Sequence, residues 1–524
     1  MITLQERYPG NVTTMKQIYN VRGRYKKEVR HSRTQMQHLL LCLAREGYQY
    51  AYRTLPDSDV VKDIFWAHPD SIALVRNFSL VLVMDNTYKT NRYRVPLLEI
   101  VGQTSTCKTF SAAFSFMSSE NYDSFVWALK QFSALFSDPR QFPMLIVTDF
   151  DGALVRAIGD VFPTSTHHLC QFHVKCNVKG KFKIYFQDTA KTGKVMKAWM
   201  DVVHCKSIDE YEAYLNAFKS VCKEVGPGCG ALLDYVERTY LNHNKEKFVD
   251  AWVNQHMHLG NTMTNRVESA HSTFKRMLAD SFGDLATCFD AMHSMLICQH
   301  RDIVDSFQKS ITRVDHVMNI PFYSELRYAV SREALIMIHR EVQSIGGDGC
   351  VCRIRTTHGL PCCCELAGYK KIGQCIHLSA IHVHWKKLSM FDCGQVEPDK
   401  TEDNEEVDPD PLPLWEEYLQ MFNAGDKATK KRLWHKFREV VRPETTTMIP
   451  PREKVNAKGR KAKKDKTTKR CPSQWELVDS QVDSLLKSTD KSETLKKKSK
   501  SKSMSKSKSK SEKCTTVPQS QACI

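Results

Sequence analysis

The stretch from residue 79 to 102, SLVLVMDNTYKTNRYRVPLLEIVG, decides how this chain is read. The aliphatic run Val81-Leu82-Val83-Met84, bounded by the polar Asn86-Thr87, predicts a buried strand, and that strand ends on a carboxylate, Asp85. Asp in such a place is either a turn residue bonding nearby backbone or an acid presented at the end of a sheet. The choice depends on what the rest of the chain sets beside it.

Working outward, SLVLVMD, RVPLLEIVGQ and KTFSAAFSFM are three strand-like runs so closely spaced that they predict an antiparallel meander. NYDSFVWALKQFSALF reads as an amphipathic helix with an Asn cap, and FPMLIVTDFDGALVRAIGDVF as strand, turn and helix. The second strand, Met144-Leu145-Ile146-Val147, also runs into a carboxylate, Asp149, with Asp151 beside it as a lesser candidate. TSTHHLCQFHVKCNV follows, a short strand with a Cys170-x-x-His173 pair, and then about ninety mostly helical residues (about 174–260). Glu268 lies in the last helix of that series. Upstream, residues 13 to about 48 carry apolar positions at helical spacing, so 1–78 is expected to be an N-terminal helical region.

Composition sets the outer limits. A chain of 524 residues can bury one large core and hold two or three units with tails. Its start lacks a signal pattern and no apolar run is long enough for a bilayer, which predicts a soluble intracellular protein without a membrane partner. Nineteen cysteines in that setting point to free thiols and metal ligands in a reducing compartment. Residues 451–524 hold 21 Lys and Arg against 8 Asp and Glu, so +13 of the net +17 sits in the tail and the body is nearly neutral. Basicity of the whole chain is therefore no sign of a nucleic-acid surface on the folded part. Residues 397–413 form an acidic, Pro-containing linker, 414–445 a short helical segment, and 446–524 a basic disordered tail. The tail contains GRKAKKDKTTKR, similar to a nuclear import signal, and Lys/Ser repeats able to contact phosphates without sequence preference; otherwise it merely aids solubility.

Two strand-end aspartates side by side in one sheet, with a glutamate delivered by a later helix, can hold two Mg²⁺ (or Mn²⁺) ions for phosphodiester cleavage or strand transfer. Asp85, Asp149 and Glu268 fit that plan. Cys170 and His173 are packing residues or, with His167 or His168, part of a metal site. CVCRIRTTHGLPCCCELAGYKKIGQCIHLSAIHVHWKKL, residues 350–388, offers two groups of cysteines, expected to be separated by a hairpin loop, followed by Cys375, His377, His382 and His384. Four of these could surround a zinc ion; the alternative is a set of oxidation-prone thiols.

MDNTYKTNRYRVPLL, VTDFDGALVRAIGDVFP, HHLCQFHVKCNV and NRVESAHSTFK together, spread in order over about 13 to 300, resemble the Mutator-like element (MULE) transposases and the related far-red-impaired-response proteins. The resemblance implies an α/β fold: a ribonuclease H-like DDE transposase core over 79–300, interrupted by a helical insertion, with a helical connector at 301–345. It carries the acid triad onto Asp85, Asp149 and Glu268, and a C-x2-H motif onto Cys170 and His173. Residues 346–390 resemble the SWIM zinc finger, of form C-x-C…C-x-H, which implies Zn²⁺ on Cys350, Cys352, Cys362 and Cys364, the last standing where a histidine is expected. DNA is the implied partner, the nucleus the implied location, and self-association is compatible with the family. The N-terminal zinc-binding recognition domain usual there is absent, as in a truncated copy. Two functions follow from the resemblance, a transposase that cuts and joins DNA, or a domesticated, catalytically silent regulator of transcription.

Overall fold

The computed structural model describes residues 15–185, 189–226, 229–278, 283–346, 350–391 and 411–453. Most of the acidic linker and the tail beyond 453 lie outside the described residues. None of the described helices is long and apolar enough to cross a membrane.

The centre is a seven-stranded mixed sheet. Its strands are β1 (Gln49–Thr54), β2 (Val61–Ala67), β3 (Val81–Thr87), β4 (Leu97–Gln103), β5 (Thr109–Phe116), β6 (Leu145–Thr148) and β7 (Thr166–Leu169), in the spatial order β1-β2-β5-β4-β3-β6-β7. The meander predicted over 79–118 is β3–β5, antiparallel throughout, and β6 and β7 continue the sheet in parallel with β3. Parallel neighbours need a crossover, supplied here by helices Tyr122–Ser133 and Gly152–Val161.

Side chains alternate along β3 and sort into two cores, as the period of two requires. Leu82 and Met84 join Phe125, Leu129, Leu154 and Ile158 from the crossover helices. Val81 and Val83 face the other way, with Val267 and Ala270 of helix Asn265–Met277 and residues as distant as Leu360 and Trp385. Asp85 shares the parity of Val81 and Val83, so the second face is where its carboxylate must emerge.

The N-terminal region is not wholly helical. Helices Met15–Arg30 and Gln35–Arg45 match the periodicity, but β1 and β2 follow and extend the antiparallel edge. QYAYRT gives no apolar run because β1 is half-exposed or exposed along its length. In β2, Asp63 interrupts the apolar residues yet is fully buried, its carboxylate bound by Arg53 Nε at 2.7 Å and by the Ser118 amide at 2.7 Å. A buried charge is tolerable only with such partners.

The predicted insertion is a helical body whose core of Trp199, Phe218, Tyr240 and Phe248 also takes in Leu169 of β7. Its longer helices are Gln171–Tyr185, Thr189–Val203, Ile208–Val225 and Cys229–Val236. The predicted boundary at residue 300 cuts through one continuous helix, Leu285–Thr312. The cysteine-rich segment has no core to itself: Leu360, Leu366, Ile376, Ile381 and Trp385 are buried in the core that holds Val81 and Val83.

Candidate functional site

Parallel pairing sets Met84 of β3 beside Thr148 of β6, so the next residues along the two strands, Asp85 and Asp149, emerge at the same end of the sheet. Helix Asn265–Met277 lies over that end and carries Glu268 in its first turn. Asp85 and Glu268, with Asn86, Thr87, His271 and Lys275, line an open depression of about 520 Å³. Asp149 is outside that lining but close enough to act on Asp85 electrostatically. Burial, then the charge of Asp149 and to a smaller degree that of Glu268, push the Asp85 carboxyl up to about 7. Three acids crowded in a poorly solvated place disfavour one another's ionisation, which is what a cation would relieve.

Among the described residues, sets of three metal-capable side chains whose ligand atoms all lie within 4.8 Å occur twice, and the acid triad is neither of them. As placed, one ion cannot touch all three carboxylates. A pair of ions does not need it to.

Asp151 is otherwise engaged. Its Oδ1 accepts from the Ala153 and Leu154 amides at 2.9 Å each and caps helix Gly152–Val161. That cap accounts for the second aspartate of TDFD, leaving Asp149 as the acid beside Asp85.

The C-x2-H pair stands at the edge of the same site. Cys170 is buried, and its Sγ lies 3.3 Å from both the Thr264 amide and hydroxyl. The same hydroxyl is 2.9 Å from Glu268 Oε1 and 3.2 Å from His173 Nδ1, with one proton to share among them. Cys170 and His173 thus hold the residue that precedes the Glu268 helix. Burial alone would depress His173, but the Cys170 sulfur, Asp149 and Asp85 outweigh it and raise it to about 9, making it a cation among the acids. His167 and His168 do not converge on the pair: His167 bonds Thr148 Oγ1 at 2.8 Å and His168 packs edge-on to His256.

Two residues of the site escaped the sequence reading. Glu99 lies directly opposite Asp85 in the β3–β4 pairing, fully buried, its carboxylate 3.4 Å from His271 Nε2. His271 sits one turn after Glu268, with Nδ1 3.9 Å from Asp85. Burial pushes Glu99 up to about 8 and His271 down to about 3, so both are neutral near pH 7. A lone Glu inside the apolar run LLEIVG, and a histidine three residues after the expected acid, were the available signals.

The cysteines gather as expected. Cys350, Cys352, Cys362 and Cys364 form one of the two close sets and could hold a metal ion. Four of their Sγ separations are 3.9, 3.5, 3.7 and 3.0 Å. Thiolates about 2.3 Å from a tetrahedral ion lie about 3.8 Å apart. The two pairs are separated by helix Arg353–His358 rather than by a hairpin loop. Gly359 reverses the chain after it at φ 65°, where a Cβ would lie 2.6 Å from His382 Cβ. Hydrogen bonds hold the Cys350 thiol down to about 6, the Cys352 amide foremost, whereas burial pushes Cys362 up. Cys375 and His377 turn to Glu325, at 3.5 and 3.1 Å.

Residues 81–177 match the family described as MULE transposase domain. Over 424 residues, 71% of this chain, the sequence is 23% identical to a Chaetomium globosum protein named PKS-NRPS hybrid synthetase cheA, of which the match spans 9%. It is 33% identical over 121 residues to FAR1-RELATED SEQUENCE 5 of Arabidopsis thaliana (23% of this chain, 15% of that protein). It is 22% identical over 246 residues to FAR-RED IMPAIRED RESPONSE 1 of the same plant (45% and 27%). The chain therefore covers less than a third of the length of each of these relatives. On these matches, residues 81–177 carry a MULE transposase domain, and the chain is similar to the far-red-impaired-response-related proteins.

Proposed function

We propose that this protein is a DDE transposase, or derives from one, that acts on DNA by phosphodiester cleavage and strand transfer. One observation carries the reading: within and beside the matched segment, Asp85, Asp149 and Glu268 meet at one end of the sheet, on three separate elements. The strand order β5-β4-β3-β6-β7, with Asp85 two residues before the end of β3 and Asp149 just after β6, supports a ribonuclease H-like core. Hard carboxylate oxygens suit two Mg²⁺ or Mn²⁺ ions, which when bound would supply charge neutralisation and an activated nucleophile. The chain's own part is positioning. β3 and β6 fix the aspartates, Thr264 and His173 steady Glu268, and Lys275 and Arg276 on the same helix offer cations to the DNA backbone.

In this reading the cysteine cluster is a SWIM-like zinc centre on Cys350, Cys352, Cys362 and Cys364. The basic tail directs the protein to the nucleus and adds nonspecific DNA affinity. Similarity to the FAR1-related proteins favours a second reading, a domesticated nuclear regulator that binds DNA on the same scaffold and does not cut it.

The test is full-length protein incubated with Mn²⁺ and DNA carrying candidate element ends, beside D85N, D149N and E268Q. Each variant should lose at least about 10²–10³-fold in nicking, the scale on which one charge-stabilising group contributes to an active site, with its melting temperature preserved. Wild-type protein that neither cuts nor gains stability from Mg²⁺ or Mn²⁺, yet binds DNA, would leave only the silent regulator.

A further inference from the structure

The second close set of metal-capable side chains is away from both sites above and belongs to neither. His68 ends the turn after β2, Asp70 lies in the first turn of helix Pro69–Asn77, and His300 is on the long helix Leu285–Thr312. Asp70 Oδ2 is 3.5 Å from His300 Nδ1 and 3.9 Å from His68 Nδ1. The two imidazole centroids are 4.9 Å apart, and one ligand atom from each of the three residues lies within 4.8 Å of the others. Nitrogen and oxygen ligands about 2.0–2.1 Å from a tetrahedral ion stand about 3.3–3.4 Å apart, so the set is nearly closed already.

What singles this set out is an unanswered atom. His300 is 5% exposed, and its Nδ1 has no hydrogen-bond partner although it faces the Asp70 carboxylate. On the ring's other side, Nε2 lies 3.1 Å from Ser71 Oγ. If Nε2 carries the proton to that hydroxyl, Nδ1 presents a lone pair toward a carboxylate oxygen. Two acceptors facing each other, the imidazole of the pair buried, are reconciled by a cation between them. Burial lowers both histidines, to about 4 for His300, so each ring is neutral and has a lone pair to give.

We propose that His68, Asp70 and His300 bind one divalent transition-metal ion of the zinc class, pinning the start of helix Pro69–Asn77 to the long helix. Two imidazoles and one carboxylate suit Zn²⁺, Fe²⁺ or Co²⁺ and not Mg²⁺. The Ser71 hydroxyl can accept the His300 Nε2 proton and so support the tautomer that frees Nδ1, the place of a residue behind a metal-bound histidine. The Asp70 side chain, 41% exposed, leaves an entry path and room for a water as fourth ligand. His68 Nδ1 now accepts the Asp70 amide at 3.1 Å, so capture takes over that lone pair or uses Nε2. One neutral hydrogen bond is small against coordination to a metal. The rival is a histidine packing cluster with Tyr48, whose ring meets His68 edge-on.

The experiment titrates reduced, chelator-stripped full-length chain with Co²⁺ and counts bound ions for wild type, D70N and H300Q. Thiolate-to-cobalt charge transfer reports the cysteine cluster, whereas a nitrogen and oxygen site adds only weak visible bands. The acid triad is intact in every sample and cancels in the difference. Wild type should bind one Co²⁺ more than either variant, with charge transfer equal in all three. Equal stoichiometry and superimposable spectra for wild type and D70N overturn the proposal. Asp70 is partly exposed and only its side-chain charge is changed, so D70N decides the matter even if H300Q does not fold.

Discussion

The acid site and the cysteine cluster are both candidate metal sites, and they are assembled in opposite ways. Asp85, Asp149 and Glu268 come from positions spread over more than 180 residues, and their three elements are anchored in one shared core. The four cysteines lie within fifteen residues, and Cys350 and Cys364 are exposed. In the first case the scaffold imposes the geometry and charge repulsion is the cost. In the second the ligands are close in sequence, and outside Leu360 and Leu366, which the main core holds, a metal is what would tie them together.

The comparison breaks most visibly on metal removal. Chelation of reduced protein should loosen residues 350–365 by roughly 4 kcal/mol or more, the stabilisation a ligand gives when present about a thousandfold above its dissociation constant. Residues 376–388 should stay protected, because Ile376, Ile381 and Trp385 remain buried in the main core. Hydrogen exchange read segment by segment checks this, and uniform loss over 350–388 would make the whole segment metal-dependent.

The acid site should respond in the reverse direction. Asp85 has a folded pKa of about 7 against an ordinary 3.8, so the folded state holds its proton more tightly than the unfolded one. The stabilisation this gives is present at about pH 4 and below and is lost as pH rises toward and through 7. In metal-free buffer, D85N should therefore gain on wild type from pH 4 to pH 8, by at most about 4 kcal/mol. Mg²⁺ should reduce the gap by stabilising wild type alone. Denaturant melts at the two pH values, with and without Mg²⁺, measure it; a pH-independent difference would show Asp85 to be an ordinary strand-end residue.

Asp151→Ala should cost about 1 kcal/mol, the loss of a helix cap, with no dependence on Mg²⁺ in the same melts. Cys375→Ser should leave metal uptake by the cluster unchanged in a zinc titration, since its thiol turns to Glu325. One zinc fewer per chain would instead move the fourth ligand from Cys364 to Cys375.

The two regions were also unequally legible. Asp85 and Asp149 could be picked out because apolar runs break on a charge, although β3 continues past Asp85 to Thr87, and the four cysteines because their ligand spacing is short. β1 could not, since QYAYRT has neither an apolar run nor clean alternation at a half-exposed sheet edge. The local signals at Glu99 and His271, a lone acid in an apolar run and a histidine one turn after Glu268, do not show that the two meet: that depends on strand register and on how a helix more than 160 residues away docks. The TDFD doublet was ambiguous for a similar reason, since cap and ligand are the same residue type until the helix start is located.

The contact between Cys170 and Thr264 has a consequence for the body between them. The Gln171 amide also donates to the Thr262 carbonyl at 3.1 Å, so the chain leaves the sheet and returns to it through one narrow neck. Some ninety residues lie beyond that neck, and their core also takes in Leu169 of β7 with Phe150 and Val155 packed against it. Closing a longer or shorter excursion changes the entropy only logarithmically with length, about 0.6 kcal/mol per doubling. The neck therefore lets the excursion be resized at the far end of its helices, away from Leu169 and Phe150, while the register of Glu268 against the two strands is kept by a sulfur and a hydroxyl.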